Sequence, residues 1–200
     1  MNTFKRNLFG AFAAFLLACS SMGAFVASTV SIAPIATVAA AGAALSLTAS
    51  SAADAAAMSD FAENKAIDYI FRAQVWTAPA TIYAGLTTSA CSDSATGTEV
   101  TGGSYARVAV TSSLANWAGT QSAGSTTASS GTGGTTSNNG AITFPSPTAN
   151  WGSVTHVVLM DASTAGNLYF CIALTVGKTI NNGDAAPSFA AAALTMQIDN

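Results

Sequence analysis

Two apolar stretches in the C-terminal part of the chain are the clearest structural signal: residues 151–160 read WGSVTHVVLM and residues 168–174 read LYFCIAL. Both are rich in β-branched and aromatic residues, which is typical of strands. Gly166-Asn167 lies between them, and turns favour both residue types. The pattern therefore predicts an antiparallel hairpin whose first strand is the most apolar one in the chain.

Further short strands are predicted on both sides of this hairpin. Turn residues and alternating polarity indicate strands at residues 80–86, 104–110, 141–144, 178–180, 188–189 and 193–198. In the first of these, Ile82 and Ala84 share one face and Tyr83 lies on the other. About seven or eight short strands with frequent turns predict a mainly β domain, either an antiparallel β-sandwich of jelly-roll type or a small barrel.

One amphipathic helix is expected before the strands, at about residues 60–73. Asp60 and Glu63 form a capping-box pattern in which Asp60 is the cap. Four apolar residues then recur at helical spacing: Ala66, Ile67, Ile70 and Phe71. We expect this apolar stripe to pack on a sheet.

Charge is scarce, which excludes some classes of protein. The 200 residues contain 6 Lys or Arg and 9 Asp or Glu, and the net charge is -3. Binding to nucleic acid needs clustered Lys and Arg to neutralise phosphates, so no nucleic-acid partner is expected. Only 8% of the residues are charged and half are hydrophobic, which also disfavours an intrinsically disordered chain.

Residues 1–57 form an apolar, Ala- and Ser-rich leader without a charged residue between positions 7 and 53. Lys5 and Arg6 precede an apolar run, as in a signal peptide, and residues 16–19 resemble a lipoprotein processing box in which Cys19 would be lipidated. Residues 53–55 offer a second cleavage site. Any contact with a membrane is expected only through this leader, where Pro34 disfavours one continuous spanning helix.

Met58 opens the stretch MSDFAE, which has the character of a natural protein start. The leader is therefore either a genuine export signal or an upstream extension that arises from an early start codon. In both cases the sequence predicts that residues 58–200 form a separate β-rich domain, and that a chain starting at Met58 folds on its own.

Catalytic motifs are missing from the sequence. His156 is the only histidine, and it lies inside an apolar strand between Val154 and Val158. We interpret it as a sheet histidine with a hydrogen-bond partner. No G-x-S-x-G, H-E-x-x-H or C-x-x-C motif occurs. We predict that the protein is not an enzyme, has no catalytic or metal site and needs no cofactor.

Cys91 and Cys171 leave two alternatives open. They pair if the domain is exported and oxidised, and they are free thiols if it folds in a reducing compartment. We prefer the free thiols. Asp93 and Glu99 lie in a Ser/Thr/Gly-rich loop, but calcium usually needs six to eight oxygen ligands, so two carboxylates are a weak indication.

The three tryptophans, Trp76, Trp117 and Trp151, are interpreted as core plugs or loop anchors rather than a platform for sugars. Residues 121–140 consist almost wholly of Gly, Ser, Thr, Ala and Asn. Because these side chains bury little apolar surface to offset the ordering entropy, we predict a mobile surface loop that is dispensable for folding.

Several stretches of residues 58–200 together resemble a known family. They are MSDFAENK (58–65), PATIYAGL (79–86), GTEV (97–100), GGSYARVAV (102–110), AITFP (141–145), NWGSVTH (150–156), KTI (178–180) and NGD (182–184). In this order and spacing they are similar to small virion proteins of tailed phages and prophages that are commonly labelled tail fibre proteins. The resemblance covers nearly all of residues 58–200, excludes residues 1–57, and includes a typical chain start at Met58.

The resemblance implies a structural, non-enzymatic role on a phage particle. The expected partners are other virion proteins, further copies of the chain and a host-surface receptor. Tail fibre, tail accessory and capsid decoration are all compatible with the family label. The alternative takes the leader as genuine and predicts an exported or lipid-anchored binding module in the bacterial envelope.

Overall fold

Residues 45–49, 57–122 and 124–198 are described by the computed structural model. They form one helix and ten strands. In chain order these are β1 (Leu45–Leu47), β2 (Ala57–Met58), α1 (Asp60–Phe71), β3 (Thr81–Thr87), β4 (Val108–Thr111), β5 (Thr135–Ser137), β6 (Ile142–Thr143), β7 (Gly152–Met160), β8 (Leu168–Ile180), β9 (Pro187–Phe189) and β10 (Thr195–Gln197).

The largest sheet has five antiparallel strands in the order β2-β8-β7-β3-β4. The predicted hairpin is β7 with β8, and it lies in the middle of this sheet. β8 is longer than expected because it continues through residues 178–180, which the sequence suggested as a separate strand. Those residues pair with the start of β7, where Gly152 lies opposite Ile180.

Two smaller sheets cover one face of the five-stranded sheet. Their strand orders are β1-β9-β6 and β10-β5, and all pairs are antiparallel except β1 with β9. Side chains from all three sheets form one core, among them Leu47, Val157, Ile172, Phe189 and Met196. The prediction of a mainly β, antiparallel fold with one helix is confirmed, and the described strands do not close into a barrel.

A β-bulge in β7 changes which side chains of this strand point to each face of the large sheet. The register shifts between Val154 and His156, so that Val154 lies in the main core while Val158 lies in a smaller cluster on the opposite face. The strand prediction also assigned the faces of β3 correctly, because Ile82 and Ala84 contact the main core and Tyr83 contacts the smaller cluster.

Helix α1 begins one residue earlier than the capping box suggested. Ser59 is the N-cap, and its hydroxyl accepts a hydrogen bond from the Ala62 amide at 3.2 Å. The same hydroxyl donates to the Leu168 carbonyl. Asp60 is therefore the first helical residue, where its charge still favours the positive helix end, and the prediction of Asp60 as the cap is wrong.

The packing of α1 also differs from the expectation. Ala62 is the only buried residue of the helix. Three residues of the predicted stripe point away from the sheet: Ile67, Ile70 and Phe71 are 51%, 66% and 79% exposed. The amphipathic pattern showed correctly which side chains share a face. The expectation that this face packs on a sheet is wrong, because the small Ala62 side of the helix contacts β8 instead.

The end of the leader contributes to the domain core. Leu47 in β1 is 2% exposed, and β1 pairs in parallel with β9, where Leu47 lies opposite Phe189. The Thr175 amide also donates to the Thr48 carbonyl at 3.0 Å. The division of the chain at residue 57 stays a prediction. The contacts show in addition that residues 45–49 pack with the strands that follow.

Residues 121–140 are only partly a surface loop. Thr135–Ser137 form β5, which pairs with β10, and Ser137 and Asn138 are buried. The Asn138 amide group donates to the carbonyls of Gly140 and Ala190, both at 2.7 Å. The prediction of a mobile surface loop is wrong for this part, because hydrogen bonds rather than apolar burial order its polar side chains. That the segment is dispensable for folding stays a prediction.

Two expectations about the leader, the lipidation of Cys19 and the cleavage site at residues 53–55, lie outside the described residues. In the part of the chain that is described, no helix is both long enough and apolar enough to cross a bilayer.

Candidate interaction surface

The most unusual surface of the domain is the outward face of α1. Ile67, Ile70 and Phe71 recur at spacings of three and four, which places them on one side of a helix. Val75, just after the helix, is 87% exposed. Soluble proteins expose single apolar side chains freely, but a contiguous group of large ones indicates an interaction site. We call these four residues the α1 face.

Aromatic contacts hold the opposite side of α1 on the large sheet. The ring of Phe61 meets Tyr169 edge-on with centroids 5.6 Å apart, and Trp76 stacks on the same tyrosine at 6.3 Å. The Lys65 ammonium lies 5.7 Å from the centre of the Phe61 ring. These contacts hold the first turn of α1 and the segment just after the helix against the large sheet. They leave the α1 face exposed to solvent.

One charged pair flanks the α1 face. The Arg72 guanidinium donates to the Asp68 carboxylate at 2.8 Å, one helical turn earlier. Helix α1 then ends because Ala73 adopts a left-handed conformation with φ 54°. Exposed pairs of this kind contribute little to stability, so their charges remain available to a partner.

A second polar cluster lies on the outer side of the large sheet, around Glu99. Arg107 binds this carboxylate with two parallel hydrogen bonds of 2.8 and 2.7 Å, and the Tyr105 hydroxyl donates to it at 2.8 Å. Arg107 also donates to the carbonyls of Ala162 and Ala165, both at 2.7 Å. One side chain thus joins three separate segments of the chain.

The electrostatics of this cluster favour the ion pair. Burial raises the pKa of Glu99, but hydrogen bonds from Arg107 and Tyr105 and the Arg107 charge outweigh it, and the net pKa lies below 4.5. The bond to Glu99 raises the pKa of Arg107, and burial raises the pKa of the Tyr105 hydroxyl. All three groups are engaged with one another, so the cluster acts as a structural clamp.

Gly85 in β3 is the residue in the sequence that indicates this cluster. A Cβ atom at Gly85 would lie 2.9 Å from the Glu99 carboxylate and 3.2 Å from the Tyr105 hydroxyl. Glycine in the middle of a strand often marks such a close approach. In the sequence, Glu99 is only a weak candidate for a cation ligand, and no local pattern connects it with Arg107, which is eight residues away across a loop.

His156 lies in β7 as a half-buried strand residue. Its Nδ1 is 2.9 Å from the Thr155 hydroxyl, which agrees with the expected hydrogen-bond partner. Burial lowers the pKa of His156 below 6.5, so the ring is neutral near pH 7. Among the described residues, no group of three or more His, Cys, Asp or Glu side chains is arranged to hold a metal ion.

Cys91 and Cys171 form a disulfide, with Cα atoms 5.8 Å apart. The preference for free thiols is wrong. The loop after β3 folds back over the outer face of the large sheet, where Cys91 packs beside Cys171 and Val158. The two cysteines are 80 residues apart in the sequence, so no local pattern could have revealed the pairing.

The tryptophans do not form one platform. Trp151 is buried, and its indole donates to the Gly103 carbonyl at 2.9 Å, which confirms its interpretation as a loop anchor. Trp76 belongs to the aromatic group beside α1. Trp117 lines an apolar cavity of about 190 Å³ between the large sheet and the β10-β5 sheet. Its indole nitrogen is buried, and no acceptor for it lies among the described residues.

Comparison with known protein families identifies a matching family. The family model described as podophage GP4 fiber I protein gp80 matches residues 57–197. No curated protein sequence matches the chain.

Proposed function

Because the chain belongs to the podophage GP4 fiber I protein gp80 family, we propose that it is a non-enzymatic part of a phage tail fibre that docks on other virion proteins. Membership of this family supports a tail fibre structural role and a location in the virion. The family match does not support the alternative of a bacterial envelope module.

The surface of the domain supports a docking role. The α1 face offers four large, exposed apolar side chains, and buried apolar anchors carry most of the energy of protein interfaces. The Glu99–Arg107 clamp and the Cys91–Cys171 disulfide both fasten connecting segments to the outer side of the large sheet. A rigid body with one apolar face is the form expected of a structural component.

The proposed partners are other virion proteins and further copies of the chain, with a host-surface receptor as a third. For a receptor, the exposed Ser/Thr/Gly-rich residues 124–134 are the best candidate surface. Gln121 organises part of this loop, since its side-chain amide donates to Ser125 and Thr127 and accepts from the Ser130 amide. Small polar side chains of this kind form adaptable hydrogen bonds with ligands.

Localisation in the particle tests the proposal. Antibodies against residues 58–200 should label the tails of purified particles of the encoding phage in immunogold electron microscopy. Label on the capsid would replace the tail fibre role by capsid decoration. Particles that lack the protein in mass spectrometry would overturn the virion role altogether.

Loss of the gene tests the structural role separately. We expect particles made without the protein to package DNA normally but to lack fibre density and to adsorb poorly to host cells. Expression of the protein in trans should restore both. Normal fibres and normal adsorption in the deletion would contradict the proposal.

A further inference from the structure

The loop after β3 ends in an exposed tip. Its base is a short hairpin, in which the Thr88 amide donates to the Thr98 carbonyl at 2.8 Å. The Val100 amide donates to the Leu86 carbonyl at 2.9 Å in the same hairpin. Residues 89–97, which we call the β3 tip, extend beyond this base and are mostly exposed. Because the base orders only its own two arms, other contacts must place the β3 tip against the rest of the domain.

Two such contacts lie close together in the β3 tip. Cys91 forms the disulfide with Cys171 in β8, and the Asp60 amide at the start of α1 donates to the Asp93 carbonyl at 3.1 Å. In the described part of the chain, this is the only hydrogen bond between the β3 tip and any residue outside its own hairpin. A cavity of about 640 Å³ separates the β3 tip from the start of α1 and from the turn before β8, so there is little packing that could replace the two contacts.

The disulfide also affects how α1 begins. The first amides of a helix have no acceptor within the helix and need one elsewhere. Here the Ser59 amide donates to the Tyr169 carbonyl at 2.9 Å, and the next amide, that of Asp60, donates to Asp93. Each of these two acceptors lies two residues from a cysteine of the disulfide. Opening of the disulfide would leave Tyr169 in its place in β8, but Asp93 would be free to move away from α1.

We propose that the Cys91–Cys171 bridge is a redox latch. Its cysteines are thiols while the chain is in the host cytoplasm, and they join after the particle is released, which fixes the β3 tip and the start of α1. The inference rests on the proposed virion role for its timing and adds a regulation of the α1 region. The cytoplasm keeps thiols reduced, whereas disulfides persist outside the cell. A virion protein passes from the first environment to the second, so its cysteines meet both conditions.

The position of the two sulfur atoms suits reversible exchange with a low-molecular-weight disulfide such as oxidised glutathione. Cys91 is half-buried on an exposed segment, whereas Cys171 is 9% exposed, so the first attack is at Cys91. Its thiolate displaces one half of the oxidant and forms a mixed disulfide, and the Cys171 thiolate then attacks the Cys91 sulfur and releases the other half. The two protein thiols lose two electrons and two protons, and the oxidant becomes two thiols. Small thiols reverse both steps.

Amide hydrogen exchange, followed by NMR, tests the coupling to α1. After reduction of the full chain with dithiothreitol, the Asp60 amide should exchange about tenfold faster or more, because its acceptor becomes mobile. The Leu194 amide, which donates to Asn138 beside the β10-β5 sheet at 2.9 Å, is the matched control and should keep its rate. The double variant Cys91→Ser, Cys171→Ser should match the reduced chain with and without dithiothreitol. An Asp60 rate that stays constant, or that rises no more than the Leu194 rate, would overturn the proposal.

Thiol trapping tests the timing. Infected cells and released particles are quenched in acid and denatured with N-ethylmaleimide, and the peptides that contain Cys91 and Cys171 are weighed by mass spectrometry. Both cysteines should carry the label in cells and should be linked to each other in released particles. A disulfide already present in cells, or labelled cysteines in released particles, would refute the latch. The exchange measurement uses the purified chain alone, so failure of the latch is distinguishable from failure of the tail fibre role, in which the protein would be missing from the particles.

Discussion

The Arg107 side chain connects three separate segments of the chain. It binds Glu99 in the loop before β4 and two carbonyls in the connection between β7 and β8. Its side chain is only 6% exposed. Removal of one partner of such a pair leaves a partly buried charge without compensation, which costs much more than the loss of a surface pair.

We therefore expect Arg107→Ala to lower the free energy of unfolding by about 3 kcal/mol, as measured by urea denaturation. The free energy of unfolding of Arg107→Lys should lie between that of the native chain and that of Arg107→Ala, because Lys cannot form the bidentate contact. A loss below about 1 kcal/mol, typical of exposed pairs, would contradict the role of the clamp.

The Glu99–Arg107 clamp also predicts that the stability of the fold depends on pH. Because the pKa of Glu99 is lowered in the folded state, its contribution to stability is present above pH 4.5 and is lost as the pH falls through the folded pKa. Arg107→Ala should therefore flatten the decline of stability between pH 5 and pH 3.

His156 should affect stability at a higher pH. Its pKa is lowered by burial, so the unfolded chain binds the proton more readily and stability falls as the pH drops below about 6.5. We expect His156→Gln to reduce the decrease of the melting temperature between pH 7 and pH 5. An identical decrease in the native chain and the variant would show that the ring is not protected from protonation.

At the scale of elements, alternation and apolar composition in the sequence are sufficient to predict the central strands of the large sheet. Residues 80–86 place apolar side chains at every second position, whereas residues 151–160 indicate a strand through their β-branched, apolar composition. β5 was missed because Thr135–Ser137 contains no large apolar residue, and its order comes from pairing with β10 and from the hydrogen bonds of Asn138. Helical periodicity showed which residues of α1 share a face but carries no information about what covers that face.

Within residues 121–140, the loop and the strand should respond differently to deletion. Replacement of residues 124–133 by a short Gly/Ser turn should leave the melting temperature nearly unchanged, because these residues are mostly exposed. Asn138→Ala should lower it, because the amide of the buried Leu194 loses its acceptor, the Asn138 side chain. Equal effects of the two changes would contradict the division of the segment.

The disulfide links the loop after β3 to the middle of β8. A bridge across 80 residues of sequence restricts the unfolded chain, and such bridges contribute about 2–4 kcal/mol. The double variant Cys91→Ala, Cys171→Ala should therefore melt at a lower temperature than the oxidised chain. Reduction with dithiothreitol should lower the melting temperature of the native chain and leave the double variant unaffected.

At the scale of the whole molecule, the sequence predicted the fold class and the family, but not which residues complete the core. The interpretation of residues 1–57 as one leader followed their uniform composition, since no charge or turn separates residues 45–49 from the rest. What distinguishes these residues is a tertiary contact. Leu47 lies against β9, more than a hundred residues later in the sequence, and local patterns cannot report such a partner.

The contribution of β1 can be measured by comparing the full chain with a chain that starts at Met58. We expect the shorter chain to fold, because α1 and four strands of the five-stranded sheet lie after Met58, but to melt at a lower temperature. The core would lose Leu47, and truncation of a buried leucine typically costs 2–5 kcal/mol. Leu47→Ala in the full chain should reproduce most of the loss, while Ser46→Ala, at an exposed position of the same strand, should not. If Leu47→Ala leaves the melting temperature unchanged, residues 45–49 do not complete the core, and the domain begins at Met58 in structure as well as in sequence.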